Sequence, residues 1–386
     1  MKLKELGTIV TGNTPSKQSV ENWDSPDIGF VKPDIISDTG ISIIDDAAEY
    51  ISEKARAKAR IVGENSILIT CIGSIGKIGI TAKGTFAFNQ QINAIIPNRK
   101  VNSKYLAYAL LYAKPRLVAI ANAPVVPIIN KSQFGDFEIK VTENTEYQSK
   151  AVEVLDTVNA IIENRRQQLQ KLDELVKARF VEMFGDPEFN TFGWDTEELG
   201  TLCDVGSSKR IYQNEQSQEG IPFWRISDLI SKMDIGVADS GLFIPEERYV
   251  ELKNAGLVPT TGDILVTSRG TLGRCYIIKD EDKFYFQDGM ISWLSNYVDG
   301  ITPLYLQYLF TMPGFRKQID GMQAGSTVAY LSIAMLKKLR VMVPPIETQN
   351  CFALFVEQLD KSKVAVQKSL DEAQLLFDSL MQQYFG

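Results

Sequence analysis

The residues best suited by type to catalysis are carboxylates in the second half of the chain. Asp263 is followed by Glu281-Asp282-Lys283, which loosely fits the Asp…Glu-x-Lys pattern that holds metal ions in nucleases. The matching part of the first half has Glu64 and then Ala82-Lys83-Gly84, so the two halves do not share the pattern. Chance is therefore the better explanation, and a nuclease remains an alternative interpretation.

Most other kinds of catalysis require residues or motifs that this chain lacks. The chain has no histidine, which removes the commonest general base and the commonest transition-metal ligand. The segment Gly73–Lys77 has the wrong spacing for a nucleotide-binding P-loop, and no Asn-Pro-Pro-Tyr loop of the adenine methyltransferase type occurs. The four cysteines are far apart in the sequence and form no C-x-x-C pair of the kind found in zinc sites; they are Cys71, Cys203, Cys275 and Cys351. We predict no catalytic residue and no metal ligand.

A unit of about 200 residues occurs twice, with small insertions that shift the alignment along the chain. The matched segments are Glu5–Thr8 with Glu198–Thr201, Phe30 with Phe223, Lys32 with Arg225, Leu68–Lys77 with Leu265–Arg274, Phe88–Gln90 with Phe286–Asp288, Tyr105–Leu106 with Tyr305–Leu306, and Phe184–Gly185 with Phe385–Gly386. The repeat predicts two similar domains.

Each unit has two parts of different character. The first part is rich in Gly and β-branched residues, and short apolar runs such as Ser66–Thr70 and Asp263–Thr267 are typical of strands. The last 40 residues or so contain neither Gly nor Pro, which predicts one long helix. We therefore expect an α/β or α+β fold with globular domains at 1–143 (head 1) and 185–344 (head 2), and long helices at 144–184 and 345–386.

The two predicted helices carry a heptad pattern in the same register. Apolar residues follow a 4-3-4-3 spacing, which is typical of a coiled coil. Arg165, Arg179 and Lys363 interrupt the pattern. The expected pairing residues are Leu155, Val158, Ile162, Leu169, Leu172, Val176, Val356, Leu359, Val366, Leu370, Phe377 and Leu380. Forty helical residues span about 60 Å, so antiparallel pairing would place one head at each end of a rigid spacer.

The whole chain resembles the specificity subunits of type I restriction-modification enzymes. The resemblance rests on the order head, long helix, head, long helix, on the G-x-x-G element before Lys77 or Arg274, and on Pro344-Pro345 with Gln349 before the second helix. It implies that each head reads one part of a split, asymmetric DNA sequence. It also implies docking of two methylation (M) subunits and of restriction (R) subunits, with S-adenosylmethionine bound by the methylation partner and not by this chain.

The charge distribution is unusual for a DNA-binding protein. The net charge is −7, head 1 has 17 basic and 14 acidic residues, and head 2 has 15 and 21. Base reading needs amide or bidentate side chains, and phosphate contacts need cations. The candidates of these types are Lys32, Ser74, Lys77, Asn89, Gln90, Gln91 and Lys131 in head 1, and Arg225, Ser227, Ser268, Arg269, Thr271, Arg274, Gln287 and Asp288 in head 2.

The sequence also bears on the cellular location of the protein, on the role of its paired glycines and on a second possible function. The chain has no long apolar run and no apolar stretch near Met1, which favours a cytoplasmic protein with no membrane contact. The glycines of the G-x-x-G element are better explained by tight turns than by a phosphate-binding loop. A coiled-coil scaffold that binds proteins but not DNA is the alternative of a different class, because it would have the same helices.

Overall fold

The computed structural model describes residues 1–121, 126–322 and 329–386. These residues form two compact units, of which unit 1 comprises residues 1–167 and 367–386, and unit 2 comprises residues 168–366. Each unit therefore combines one head with parts of both long helices. The fold is mixed α+β, as predicted.

The strands of head 1 are short and are joined mainly by turns. They are β1 (Gly7–Thr11), β2 (Ile28–Val31), β3 (Ile41–Ile44), β4 (Glu49–Ile51), β5 (Ile61–Val62), β6 (Ile67–Thr70), β7 (Ile78–Thr81), β8 (Phe86–Phe88) and β9 (Ile92–Pro97). The helices of this part of the chain are α1 (Leu3–Leu6), α2 (Ser103–Ala119), α3 (Lys131–Asp136) and the long helix α4 (Thr145–Phe184).

Head 2 repeats much of this plan. Its strands are β10 (Thr196–Glu198), β11 (Asp204–Gly206), β12 (Ile221–Trp224), β13 (Phe243–Ile244), β14 (Ile264–Thr267), β15 (Cys275–Ile277), β16 (Tyr285–Phe286), β17 (Ile291–Ser295) and β18 (Arg340–Met342). The helices are α5 (Leu199–Leu202), α6 (Ile226–Ile235), α7 (Glu246–Asn254), α8 (Pro303–Leu309), α9 (Pro313–Gly321), α10 (Ile333–Lys337) and the long helix α11 (Ile346–Phe385).

The larger sheets of the two heads correspond strand by strand, except for one edge strand. Head 1 has a sheet in the order β1-β9-β6-β7-β3, and head 2 has the order β11-β17-β14-β15. The central strands β6 and β14 are buried at every position, as expected for their continuous apolar sequences. A second sheet contains the parallel pair β2 and β8 in head 1, and β12 and β16 in head 2. Among the described residues, head 2 has no counterpart of β3.

The long helices have the ends that their sequences predict. Pro344-Pro345 precede α11, and Gly185 follows α4 with φ of 81°, a left-handed conformation that glycine adopts at little cost. The Gly185 N–H donates to the carbonyl of Val181 at 2.8 Å and so satisfies one of the last carbonyls of the helix.

In unit 1, the beginning of α4 packs against the end of α11. The Tyr147 and Tyr384 rings lie 5.7 Å apart, and Arg165 Nε donates to Ser369 Oγ at 3.1 Å. As the residue number rises along α4 it falls along α11, so these segments are antiparallel. One core contains the head 1 strands together with residues of both helices, among them Leu155, Val158, Ile162, Phe377 and, at its margin, Leu370 and Leu380.

In unit 2, the end of α4 packs against the beginning of α11. Phe184 lies 5.4 Å from Phe352, the Arg179 guanidinium covers the Phe355 ring at 5.6 Å, and Lys363 forms an ion pair with Asp173 at 2.7 Å. These segments are antiparallel as well, and two of the charged residues that interrupt the heptads contact the facing helix. Val176 and Val356 are buried here, whereas Leu169, Leu172, Leu359 and Val366 are half-buried.

None of the helices in the described part of the chain is long and apolar enough to cross a lipid bilayer.

Candidate nucleic-acid interface

The G-x-x-G element forms the same hairpin turn in both heads. In head 1 it joins β6 to β7, and the hydroxyl of Thr70 accepts from the N–H of Lys77 at 3.0 Å while its carbonyl accepts from Gly76 at 2.9 Å. Thr267 makes the equivalent contacts with Arg274, at 2.9 Å, and Gly273, at 2.8 Å. Gly73, Gly76, Gly270 and Gly273 all have φ between 69° and 81°. The glycines therefore serve the turn, as expected.

Main-chain hydrogen bonds gather the loops of head 1 at one edge of its sheets. Asn89 N–H donates to Val31 at 3.2 Å, Cys71 to Gln91 at 2.7 Å, and Ile129 to Cys71 at 2.8 Å. These bonds join the segments that follow β2, β6 and β8 to the segment before α3. We call this region the loop edge of head 1. It contains the candidates Lys32, Ser74, Lys77, Asn89, Gln90, Gln91 and Lys131.

Head 2 forms the same edge with the matching bonds. Gln287 N–H donates to Trp224 at 2.9 Å, Ser268 to Met290 at 2.9 Å, and Leu331 to Ser268 at 3.0 Å. The loop edge of head 2 therefore joins the segments after β12, β14 and β16. It contains the candidates Arg225, Ser227, Ser268, Arg269, Thr271, Arg274, Gln287 and Asp288.

Two of the candidate cations in head 1 have carboxylate partners. Lys32 forms an ion pair with Glu49, and the ammonium group of Lys32 holds the pKa of the Glu49 carboxyl below its ordinary value. Lys77 pairs with Asp38 at 3.2 Å, and the Lys77 side chain is only 13% exposed. Lys131 is exposed and forms no ion pair within the residues described. Lys131 is thus the candidate cation of this edge with the most accessible charge.

Head 2 neutralises its candidate cations in the same way. Arg274 donates to Asp234 at 2.5 Å, and this bond lowers the pKa of the Asp234 carboxyl. Arg225 lies 3.6 Å from Asp228. Arg269 differs from both, because it is exposed, its guanidinium covers the Tyr330 ring at 5.3 Å, and no described carboxylate lies within ion-pairing distance. A guanidinium that contacts the face of a ring still has N–H donors available at the loop edge.

The hydroxyl and amide candidates divide into inward and outward groups. Ser268 is buried and its hydroxyl bonds Ser292 at 2.7 Å, while Asn89 is buried and donates to Gln91 at 2.8 Å. These side chains support the loops. Gln90, which accepts from Thr14 at 2.8 Å, is exposed. Exposed or half-buried positions are also held by Ser74, Gln91, Ser227, Thr271, Gln287 and Asp288.

The sequence interpretation missed several residues at these edges. Arg210 forms an ion pair with Asp288 at 2.8 Å, and Ser208 donates to the carbonyl of Phe286 at 2.7 Å. In head 1, Asn13 N–H donates to Phe88 at 3.0 Å, which places the segment after β1 at the edge as well. Polar residues follow β1 in head 1 and the corresponding strand β11 in head 2, as Asn13-Thr14 and Ser207–Arg210, and comparing those segments would have found them.

The carboxylates of the nuclease interpretation have structural partners. Asp263 accepts from the Trp293 indole N–H at 3.0 Å and from Thr260 N–H at 2.7 Å. Asp282 accepts from the Tyr276 hydroxyl at 2.7 Å and pairs with Lys232 at 3.3 Å. Within residues 1–121, 126–322 and 329–386, no group of three or more His, Cys, Asp or Glu residues is arranged to hold a metal ion. Nothing in this arrangement favours the nuclease.

Each unit combines one head with parts of the two long helices, and each head carries a polar loop edge. This arrangement is that of a binding protein with two related interfaces. The family model described as "Type I restriction modification DNA specificity domain" matches residues 1–174 and 192–373. The chain belongs to this family and carries its domain twice. The prediction of a type I restriction-modification specificity subunit is confirmed.

Individual relatives agree with this assignment. The chain is 26% identical to the type I restriction enzyme MjaIX specificity subunit of Methanocaldococcus jannaschii, over 98% of this chain and 90% of the relative. It is 25% identical to a putative type I restriction enzyme specificity subunit of Haemophilus influenzae, over 72% of this chain and 70% of the relative.

Solved structures share the fold. The S subunit of the type I restriction-modification system from M. genitalium matches with a TM-score of 0.55 and 18% identity, covering 100% of this chain and 95% of that chain. A chain from a study of complex assembly and conformational transition of the type I R-M system matches with a TM-score of 0.57 and 15% identity, covering 100% and 96%. At these identities the matches concern the fold alone, and they support the predicted two-domain α+β architecture.

Proposed function

We propose that each loop edge reads one part of a split, asymmetric target in double-stranded DNA. The observation that carries this proposal is the repetition of one main-chain frame with different side chains. Lys77 in head 1 corresponds to Arg274 in head 2, and Gln90 corresponds to Asp288. Two frames of the same shape with unlike polar groups suit two unlike base sequences, because base identity is read by side-chain donors and acceptors.

Arg269 is the strongest candidate for a direct base contact. It lies on the β14–β15 hairpin, is exposed, and is held against Tyr330. A guanidinium donates two parallel hydrogen bonds to the O6 and N7 atoms of guanine, or to a phosphate. The ion-paired cations Lys32, Lys77, Arg225 and Arg274 are proposed to position the loops and to contact phosphates. The acidic net charge of head 2 is then compatible with DNA binding, since only the local surface meets the duplex.

The chain is proposed to act without catalytic chemistry of its own. In this proposal two methylation subunits and the restriction subunits dock on it, and the methylation subunit binds S-adenosylmethionine and transfers the methyl group. The support is the family membership together with the absence of histidine from the sequence. The long helices, whose exposed faces include Leu175 and Leu376 at matching heptad positions, are the proposed docking elements.

Selection from a random duplex library tests the DNA proposal. The full chain, alone and co-expressed with its methylation subunit, is incubated with the library, and retained duplexes are sequenced. We expect enrichment of two specified blocks separated by an unspecified gap. The Arg269→Ala variant should lose specification only in the block read by head 2, whereas Lys253→Ala, on α7, should select as the wild type does. Absence of any enriched sequence in both conditions would contradict the proposal and favour the coiled-coil scaffold.

A further inference from the structure

Strand β15 of head 2 has an open edge. It pairs with β14 on one side, and within the described residues no strand pairs with its other side. In head 1 the matching strand β7 pairs with β6 in the same way, but its outer side is covered by the parallel strand β3, with Ile41 opposite Ile78 and Ile43 opposite Ile80. Helix α6 stands in head 2 at the place in the sequence where β3 stands in head 1.

The open edge presents unpaired main-chain groups. Arg274 accepts from the Thr267 N–H at 2.9 Å, and Ile278 donates to Asp263 at 2.8 Å, so these residues direct their main-chain groups towards β14. Because the direction alternates along a strand, the groups of Cys275 and Ile277 point away from β14. The Cys275 carbonyl accepts from the Gln307 amide at 3.2 Å. Among the described residues, the N–H groups of Cys275 and Ile277 and the carbonyl of Ile277 have no main-chain partner, and we take them as the groups that another strand would bind.

A cationic groove of about 640 Å³ lies beside this edge. Among the described residues its lining includes four cations and no carboxylate; the cations are Lys232 on α6, Arg274 and Lys279 at the two ends of β15, and Arg316 on α9. This is notable in a head with 21 acidic and 15 basic residues. Lys232 and Arg274 are paired with Asp282 and Asp234, respectively. Lys279 and Arg316 form no ion pair within the residues described.

Apolar side chains complete the groove. Met233, Tyr276 and Phe310 contribute to its lining. A phosphate backbone would use the cations but not this apolar surface or the free strand edge. An extended polypeptide uses all three, because its main chain extends the sheet, alternate side chains pack on apolar groups, and its carboxylates meet the cations.

Head 1 shows what kind of segment suits such an edge. Strand β3 has the sequence Ile-Ser-Ile-Ile, and it is preceded by Asp38 and followed by Asp45-Asp46. Asp38 pairs with Lys77, the residue that matches Arg274. The segment on β7 is therefore extended, apolar along its middle and acidic at both ends.

We propose that the groove beside β15 binds an extended acidic segment of a partner protein, which adds to the sheet of head 2 as a fifth strand in the position that β3 holds in head 1. This proposal goes beyond DNA recognition by the loop edges, and of the four cations of the groove only Arg274 is also a loop-edge candidate. Its ligand is a polypeptide, and its contacts are the outer side of β15 and the four cations.

A peptide with the sequence of residues 38–46 is a direct probe. The fluorescein-labelled peptide is titrated into the full chain, and fluorescence anisotropy reports binding. A matched peptide in which all three aspartates are replaced by asparagine is the control. We expect saturable binding of the acidic peptide, weakened by added salt because the attraction is partly between exposed charges, and at least about tenfold weaker binding of the control peptide, which corresponds to about 1.4 kcal/mol.

Two variants test separately what the strand edge and the positive charge contribute to peptide binding. Ile277→Pro removes an N–H that points away from β14, so an edge strand tolerates it, and we expect at least about tenfold weaker peptide binding. Lys279→Glu reverses one unpaired charge and should weaken binding similarly, while Lys253→Ala on α7 should leave it unchanged. Thermal unfolding of each variant checks that head 2 is folded, and Lys279→Glu still decides the question if Ile277→Pro unfolds it.

Three results would overturn the proposal. One is no saturable binding of the acidic peptide, and another is equal binding of the acidic and asparagine peptides. The third is that a short DNA duplex displaces the peptide while Ile277→Pro binds it as the wild type does, which would identify a phosphate site. In the first two cases the duplex-library selection with wild-type chain is unaffected, so failure of this inference and failure of the proposed DNA recognition are distinguishable.

Discussion

Head 1 and head 2 hold their loop edges with the same main-chain hydrogen bonds but differ in the side chains placed on them. The bond from Cys71 to Gln91 recurs from Ser268 to Met290, and the bond from Asn89 to Val31 recurs from Gln287 to Trp224. The net charge nevertheless changes from positive in head 1 to negative in head 2. The comparison teaches that the shape of the interface is conserved between the repeats by the backbone, and that its chemistry is set separately by the side chains.

The heads also differ at the outer edge of their larger sheets. In head 1 the chain covers that edge with its own strand β3, whereas in head 2 helix α6 takes the place of β3 in the sequence and no strand of the described residues covers the edge. The same replacement changes the partner of the loop cation. Asp38, on the segment before β3, pairs with Lys77, and Asp234, on α6, pairs with Arg274. Different elements thus supply the same carboxylate contact.

Exchanging a whole head should have the largest effect. Replacing residues 1–143 by the first head of another family member should change one half of the methylated sequence completely and leave the other half as it was, because each loop edge is built within its own head. Sequencing of the modified bases in the host genome measures this result. The reciprocal exchange of residues 185–344 is the control, and a change of both halves in either exchange would mean that the heads do not read independently.

Removing the aromatic anchor of unit 2 should have the next largest effect. Phe184 is fully buried and lies 4.9 Å from Tyr305 and 5.4 Å from Phe352. Phe184→Ala should lower the free energy of unfolding of unit 2 by about 3–5 kcal/mol. Phe385→Ala, the matched change in unit 1, should cost less because two of the three rings around Phe385 lie 6.3 and 6.4 Å away, whereas the three rings around Phe184 lie between 4.8 and 5.4 Å away. Denaturant unfolding followed by near-UV circular dichroism measures both.

The exposed Phe189 provides the control for this pair, since Phe189→Ala should change the unfolding free energy by no more than about 0.5 kcal/mol. Equal losses for Phe184→Ala and Phe385→Ala would show that the two anchors are equivalent in spite of their different positions.

Truncating the exposed arginine of head 2 should weaken DNA binding without affecting folding. A bidentate contact to a base contributes about 1–3 kcal/mol of discrimination, so Arg269→Ala should reduce affinity for the preferred duplex about 10- to 100-fold. Electrophoretic mobility shift with the selected duplex measures the loss. A uniform loss across all duplex sequences would assign Arg269 to phosphate contact instead.

Releasing a paired cation should have a smaller effect of opposite sign. Asp234→Asn removes the charge that faces Arg274, so binding to non-specific duplex should become about two- to fivefold tighter. The slope of log affinity against log salt concentration should steepen by the amount expected for about one more phosphate contact. Asp38→Asn should act in the same direction but less, since the Lys77 side chain is only 13% exposed. Fluorescence titration at several salt concentrations measures both.

The pH dependence provides a control for this pair. The Arg274 hydrogen bond holds the pKa of Asp234 below its ordinary value. The carboxylate therefore stays ionised at pH values where an ordinary aspartate is already partly protonated, and it is protonated only as the pH falls through the lowered pKa. Non-specific binding of the wild type should therefore not change on this account between about pH 8 and pH 5. A rise within that range that Asp234→Asn abolishes would contradict the described pair.

Much of the fold was predictable because it depends on local patterns. The helix lengths follow from runs without Gly or Pro, and the pairing face follows from the heptads. The loop edges were predictable in part, since matched residues such as Lys77 and Arg274 mark the same turn. The ion pairs were not predictable, because Asp38 and Asp234 lie about 40 residues from their partners on segments of different structure. The burial of Asn89 and Ser268 was missed because amide and hydroxyl groups serve loops and ligands equally well.

The hydrogen bonds that join the segments of each loop edge run between carbonyl and N–H groups, and every residue except proline possesses both. A change of side chain at an exposed position such as Ser74 or Thr271 therefore leaves the supporting bonds in place, and surface changes of this kind alter stability little. Such a scaffold permits new target sequences to arise by single substitutions or by recombination of loops, without a loss of folding that selection would first have to repair.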